Sequence, residues 1–322
     1  MRKVYSMRLP HRSSSRGSGV CPMLRRALVF AVALMAWPAA VPTPAAATAP
    51  EAGSAIVVST TALDIRSCPR PDCAISATAP LGAEVAITGE AIEGFVPVRY
   101  QDKVGFVPPL FLASDPGHPP YLVEGAPGCQ RVAFLFNIGV GFEPDLGIIE
   151  TLETEQVPAA MFLMGWWVEQ DATLAQRLAD DGYLIGSHGY GSTELTTLPD
   201  DEVLEDVRHA TEAIESAIGR PMDPYFTPYA AAIDDRVRAI VSAQGMLPVA
   251  WNVPAADYGP DVTEEAVYSR VMNNMYDGAI VEFHLDAEKS ADSTGRALPR
   301  IISDLRAQGY QFVTIPEMAQ PC

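Results

Sequence analysis

His188 stands four residues before Ser192 in the segment Gly186-Ser187-His188-Gly189-Tyr190-Gly191-Ser192. Two histidines at that spacing can grip one divalent ion from the same side, but here the second place offers only a hydroxyl. Upstream, a strand-like run from Val132 to Phe136 ends in Asn137-Ile138-Gly139, a place where paired carboxylates would supply a base and a further ligand. The Asn137 amide has no proton affinity near neutral pH, and the Ile138 alkyl group coordinates nothing. Toward the C-terminus, Glu282 and His284 lie two apart in another strand-like run and therefore face the same way. The spacing looks like that of a metal-ligand site with half its ligands missing.

Elements to position these residues can be read along the chain. From Ala55 to Leu112, short β-branched runs alternate with turn residues, as in Val57 to Thr60, Glu84 to Thr88 and Phe95 to Tyr100, an all-β pattern. Residues 115–128 are rich in Pro and Gly and read as a linker. Beyond them strand-like and helix-like segments alternate. Leu146, Ile148, Ile149 and Leu152 have helical spacing, as do Val203, Leu204, Val207, Ala210, Ile214 and Ala217. Pro199 with Asp200, Asp201 and Glu202 predicts the start of that second helix, and Gly219 its end. Further βα units are expected at Asp234 to Gln244 followed by Leu247 to Val253, and at Gly278 to His284 followed by Ile301 to Gln308. This rhythm predicts an α/β fold with a parallel, barrel-like sheet and function on the loops after the strands' carboxyl ends.

The order and spacing of these segments resemble the NodB-type polysaccharide deacetylases, carbohydrate esterase family 4, from Arg131 to Met318. The family's Thr-Phe-Asp-Asp-Gly is similar to Leu135-Phe136-Asn137-Ile138-Gly139, and its His-x-x-x-His to His188 through Ser192. Its Phe-Arg-x-Pro-Tyr-Gly is similar to Tyr225-Phe226-Thr227-Pro228-Tyr229-Ala230, its Asp-x-x-Asp-Trp to Pro254-Ala255-Ala256-Asp257-Tyr258, and its Leu-x-His to Glu282-Phe283-His284. The resemblance implies a distorted (β/α) barrel in which a divalent metal, held by one Asp and two His, activates a water for attack on an acetamide. It also implies roles. Asn137 stands at the base position and His284 at the acid position, while Ile138, His188 and Ser192 stand at the ligand positions. Phe226 replaces an Arg that orients the base, Pro254 replaces an Asp that tunes the acid, and Glu282 replaces an apolar residue of the acetyl pocket, with Asp257 and Tyr258 completing the groove. Of the three ligands only His188 is retained, so no cofactor is expected unless zinc occupies a rebuilt site. A His188, Glu282 and His284 set, with Glu143 or Asp145 near Asn137, is one such alternative. Ser192 lacks the Gly-x-Ser-x-Gly elbow of a nucleophile, His118 falls in the linker, and His209 falls on a surface helix. Leu63 to Arg66, Leu81 to Val85 and Lys103 to Val107 resemble a bacterial SH3 domain, a small barrel often attached to cell-wall proteins.

The first fifty residues carry seven Lys or Arg and no Asp or Glu, and Arg25-Arg26 precede an apolar run from Ala27 to Trp37 that leads to Ala45-Ala46-Ala47. This reads as a secretory signal over residues 1–47. The apolar run is too short to span a bilayer, which takes roughly 20 residues, and no other segment reads as transmembrane. Without the leader, 15 basic residues face 40 acidic ones, a net charge of −25, which repels nucleic acid and anionic polymers. With Cys21 in the leader, Cys68, Cys73, Cys129 and Cys322 remain, and their even number and local spacing suggest the bridges Cys68–Cys73 and Cys129–Cys322.

The domains expected are therefore a signal peptide at 1–47, an SH3-like domain at 55–114, a linker at 115–128 and a NodB-like domain at 129–322. The functional expectation is an exported or cell-envelope protein, impaired or inactive as a deacetylase, that binds cell-wall polysaccharide, peptidoglycan or another partner. Two readings stay open beside it: an active, divergent metal-dependent deacetylase, and a protein that binds wall peptide through its SH3-like domain.

Overall fold

The computed structural model describes residues 53–322, so the expected leader with Cys21 lies outside the described residues. Strands β1 (Gly53–Val57), β2 (Ala62–Arg66), β3 (Ile75–Pro80), β4 (Glu84–Ile87), β5 (Val96–Tyr100), β6 (Lys103–Val107) and β7 (Leu112–Ala113) form one antiparallel sheet in the order β3-β2-β6-β5-β4-β1-β7. Period-two alternation makes it. In β2, Leu63 and Ile65 are buried while Ala62 is exposed and Asp64 and Arg66 are half-buried, and Val57, Val85, Val98 and Val107 complete its core. The run from Val57 to Thr60 does not continue the first strand, which ends at Val57. Strand β3 is not legible in the sequence because it is an edge strand that buries only Ala79.

Strands β8 (Arg131–Ile138), β9 (Ala159–Leu163), β10 (Leu184–Ser187), β11 (Tyr225–Phe226), β12 (Leu247–Pro248), β13 (Val253–Pro254), β14 (Ala279–His284) and β15 (Gln311–Phe312) form a second, wholly parallel sheet. Its order is β12-β11-β10-β9-β8-β14-β13, with β15 added to β8. Helices α1 (Leu146–Glu155), α2 (Gly165–Gln170), α3 (Ala172–Asp180), α4 (Asp200–Ile218), α5 (Asp235–Ala243), α6 (Glu264–Asn274), α7 (Thr294–Ala307) and α8 (Ile315–Met318) connect and follow the strands. Every residue of β8 is buried, as expected of a parallel strand covered on both faces. Val132, Phe134, Phe136 and Ile138 enter one apolar cluster with residues of the helices, while Ala133 and Leu135 enter a second with Phe162, Leu247 and Ile280.

Helix α4 starts after Pro199 with three acidic residues in its first turn and ends at Gly219, whose φ of 68° is left-handed. Asp234 caps α5 by accepting from the Val237 N–H. Two expected elements differ. The run Leu247 to Val253 is split into β12 and β13, the two ends of the large sheet, and α7 begins at Thr294, well before Ile301.

The large sheet is thus an open barrel whose end strands are joined by residues 249–252. The segment expected as a linker fills this seam. Leu122, 1% exposed, forms a parallel bridge with Val249, donates its N–H to the Pro248 carbonyl and accepts from the Ala250 N–H. Gly125 donates to the Gly278 carbonyl. Within residues 115–128, Leu122 and Gly125 are buried and paired to the large sheet, so one apolar side chain with paired backbone groups completes a sheet edge. Both expected disulfides are present, with Cα separations of 5.7 Å for Cys68–Cys73 and 5.8 Å for Cys129–Cys322. The small sheet touches the large unit at a buried hydrogen bond from Ser59 Oγ to Ser242 Oγ, 2.9 Å.

Candidate functional site

Strands β8 and β14 lie side by side with His284 opposite Asn137 in register. Residues at the carboxyl ends of β8, β10, β11 and β14, or just past them, line or back a cavity of about 510 Å³. This is the end of a parallel sheet at which loops converge. Two loops are held in place by carboxylates, Asp286 buried and Asp206 half-buried. Asp286 accepts from the N–H groups of Gly139 and Gly141. Asp206 on α4 accepts from those of Tyr190 and Gly191, which fixes the turn after His188. Gly139 is required for itself as well: its φ is +141°, and a Cβ there would lie 2.5 Å from Met164 Sδ.

A continuous polar chain crosses the cavity floor. His188 Nδ1 lies 2.8 Å from Thr227 Oγ1 and 3.1 Å from the Thr227 carbonyl. A carbonyl can only accept, so the His188 proton sits on Nδ1 and Nε2 carries a lone pair. The Thr227 hydroxyl donates to Asn137 Oδ1 at 2.9 Å, and Asn137 Nδ2 donates to Glu282 Oε1 at 3.4 Å. His284 Nε2 lies 3.3 Å from the same Glu282 oxygen, and its Nδ1 lies 2.7 Å from Asp257 Oδ1. Asp257, fully buried, also accepts from the His284 N–H and the Thr294 hydroxyl.

The charges follow from these contacts. Burial lowers His188 to about 3, with the nearby His284 adding to the effect, so it is neutral. Burial alone would lower His284, but the hydrogen bond to Asp257 and the charges of Asp257, Glu282 and Asp286 outweigh it and push it up to about 9. Glu282 is pushed up to about 7 by burial, against the pull of the His284 charge. His284 is therefore a cation clasped between two carboxylates. Its Nε2 lies in ion-pair contact with Glu282 Oε1.

The expected site residues are only partly brought together. Asn137, His188, Ser192, Pro254, Tyr258, Glu282 and His284 line the cavity. Ile138 is fully buried in the apolar cluster shared with the helices, as is Phe226. Asp257 lies behind His284 rather than in the groove. With Pro254 at the acid-tuning position of the family resemblance, Asp257 is the residue that holds His284. Ser192 Oγ has Met164 Sδ as its neighbour at 3.9 Å and no base beside it. Thr227, Asp286, Asp206 and Thr294 were not singled out from sequence. Asp286 lies two residues past His284, beyond the end of the strand, where sequence periodicity no longer assigns a face.

The donor set does not fit a divalent ion. An alkyl group and a hydroxyl stand at two of the three ligand positions, leaving one imidazole nitrogen. Among the described residues no group of three or more His, Cys, Asp or Glu is arranged to hold an ion. Glu282 and His284 do meet, but they satisfy each other. Glu143 is exposed and Asp145 caps α1. His118 pairs with Asp115 and Asp235, and His209 stacks on Tyr190 at 3.8 Å.

Residues 124–249 match the polysaccharide deacetylase family. The chain is 30% identical over 215 residues to the uncharacterized protein YlxY of Bacillus subtilis, covering 66% of this chain and 63% of that one, so it spans less than two thirds of that relative's length. It is 26% identical over 200 residues to a peptidoglycan-N-acetylglucosamine deacetylase of Bacillus cereus, covering 62% of this chain and 72% of that one. Among solved structures it is similar to BA3943, a carbohydrate esterase family 4 pseudoenzyme from Bacillus anthracis, with a TM-score of 0.56, 25% identity, and coverage of 62% of this chain and 68% of that one.

Proposed function

From a chain that carries a polysaccharide deacetylase domain of the NodB, carbohydrate esterase family 4 type, we propose an exported cell-envelope protein that has lost deacetylation and uses the surviving cavity to bind cell-wall glycan. The observation that carries this reading is the pairing of an intact cavity with a disabled reaction centre. At the positions that the family resemblance gives to the base and two ligands stand Asn137, Ile138 and Ser192, and His284, at the acid position, has its Nε2 in ion-pair contact with Glu282 Oε1 at 3.3 Å. General acid catalysis needs a proton on that nitrogen aimed at a leaving group. The walls remain suited to sugar rings: Trp251, Tyr229 and Tyr258 line the cavity, and the Tyr258 ring is 60% exposed, 5.6 Å from the His284 ring.

In this reading residues 55–114 are an SH3-like appendage and residues 1–47 a secretory leader. Among the described residues no helix is long and apolar enough to cross a membrane. The relatives' names point to peptidoglycan as the polymer. The test combines acetate release from peptidoglycan and chitin oligomers, with and without added zinc, with calorimetric binding of the same oligomers and of their deacetylated counterparts. Binding without acetate release is expected. Turnover that zinc stimulates would instead establish a divergent deacetylase, and absence of binding by every oligomer would remove the glycan-binding reading.

A further inference from the structure

Two acceptors on the cavity floor are left without a hydrogen-bond donor. Glu282 is 3% exposed yet lines the cavity, and both contacts given above, from Asn137 Nδ2 and His284 Nε2, fall on Oε1. Its Oε2 accepts no hydrogen bond from any described residue. That oxygen is open to the cavity and free to accept from a ligand. His188 also lines the cavity. Its Nδ1–H is committed to Thr227, so the nitrogen it has left, Nε2, is a bare lone pair. Of the donors nearby, Asn137 Nδ2 is committed to Glu282 and the Thr227 hydroxyl to Asn137, while His284 Nε2 is in ion-pair contact with Glu282.

The balance of charge agrees. Behind the floor stand the carboxylates of Asp257 and Asp286, and on it the Glu282 carboxyl, which ionises near pH 7, against one imidazolium, His284, while His188 is neutral. A site that would hold a dication in a metal-dependent deacetylase has here a net negative floor. An N-acetyl group would present its carbonyl oxygen, an acceptor, to acceptors, and its methyl group to a carboxylate. A primary ammonium presents three donors and a positive charge.

We propose that the cavity selects the free 2-amino group of deacetylated amino-sugar polymers over the N-acetylated form, with Glu282 Oε2 and His188 Nε2 receiving the ammonium. The inference rests on the glycan-binding reading above and sets its specificity: the chain reads the product of N-deacetylation. The excess of acidic over basic residues, 40 against 22 in the whole chain, favours approach of such a cationic polymer.

The experiment is calorimetric titration of the mature protein at pH 7 with the tetramer of glucosamine, the tetramer of N-acetylglucosamine, and cellotetraose, which has neither amine nor acetyl group. The glucosamine tetramer is expected to bind about tenfold or more tightly than the other two, the scale of one hydrogen bond to a charged group. Glu282→Gln should erase that preference while leaving weak binding of all three. Equal binding of the three, or preference for the acetylated tetramer, would overturn the inference and leave the glycan-binding reading standing. Binding of none would remove both. A preference that survives Glu282→Gln would show that the acidic surface, not this pocket, selects the amine, and would equally overturn it. Should that variant fail to fold, His188→Gln removes the second acceptor, and an unchanged preference there would also count against the assignment.

Discussion

Within strand β14, His284 Nε2 lies 3.3 Å from Glu282 Oε1, and both side chains line the same cavity. Burial pushes the Glu282 carboxyl up to about 7 from 4.5. Since the folded state binds this proton more tightly, the group's contribution to stability is fully present below pH 4.5 and is lost as pH rises through 7. Glu282→Gln never ionises. The variant is expected to gain on the wild type by about 1–3 kcal/mol between pH 5 and pH 8, measured as urea midpoints across that range. A difference independent of pH would show that the carboxyl is already ionised at pH 5.

The opposite window applies to His284, whose pKa is raised to about 9 from 6.5. Its contribution is complete below pH 6.5 and is lost as pH rises through 9. Asp257→Asn removes the negative charge at Nδ1. The His284 ring, followed by NMR, should then titrate nearer the ordinary histidine range, and the destabilisation should be greatest below pH 6.5 and shrink above pH 9. An unshifted ring titration would mean that Asp257 does not set the charge of this histidine.

Asn137→Asp, Ile138→Asp and Ser192→His together recreate the three-ligand set and base that the family resemblance implies. Ile138 packs in the helix-facing cluster, so an aspartate there is buried and unpaired until an ion draws it in, at a cost of about 3–5 kcal/mol. The triple variant should melt well below the wild type without zinc and be raised by zinc, whereas the wild-type melting temperature should not move. Acetate release should stay weak, because Phe226 offers the new base no hydrogen bond and Glu282 occupies the acetyl side, and it should increase when Glu282→Leu is added. A folded triple variant whose melting ignores zinc would show that the three positions do not converge.

Leu122→Ala tests the seam. Leu122 is 1% exposed in the inner cluster, and truncating such a side chain costs about 2–5 kcal/mol. Equilibrium denaturation should register that loss. A change under 0.5 kcal/mol, as at an ordinary surface position, would return the segment to the status of a tether.

Much of the architecture was legible because period and capping are local. Helix α4 follows from its 3.6-residue apolar stripe, its acidic first turn and Gly219, and β8 and β14 from their continuous apolar runs. The seam was not legible, since Pro and Gly around Leu122 mask a single buried side chain whose partners lie at Pro248 to Ala250. The role of Asp257 was misread for a related reason. Ala256 adopts a left-handed φ of 48°, a turn that nothing in an alanine announces, and the residue after it sits behind His284. The Thr227 bridge was equally hidden: it joins His188 to Asn137 across strands that meet only in the folded sheet.

The seam also fixes where the polypeptide can be divided. Leu122 precedes both cysteines of the Cys129–Cys322 bridge, so a fragment starting at Cys129 would keep its covalent clasp and still lack the residue that pairs with Pro248, Val249 and Ala250. Those residues run directly into Trp251 and Pro254 on the cavity wall. A proteolytic nick or a gene truncation between Leu122 and Cys129 would therefore act at a distance, loosening the cavity without touching any residue that lines it. The shortest fragment that retains the pocket's shape begins upstream of Leu122.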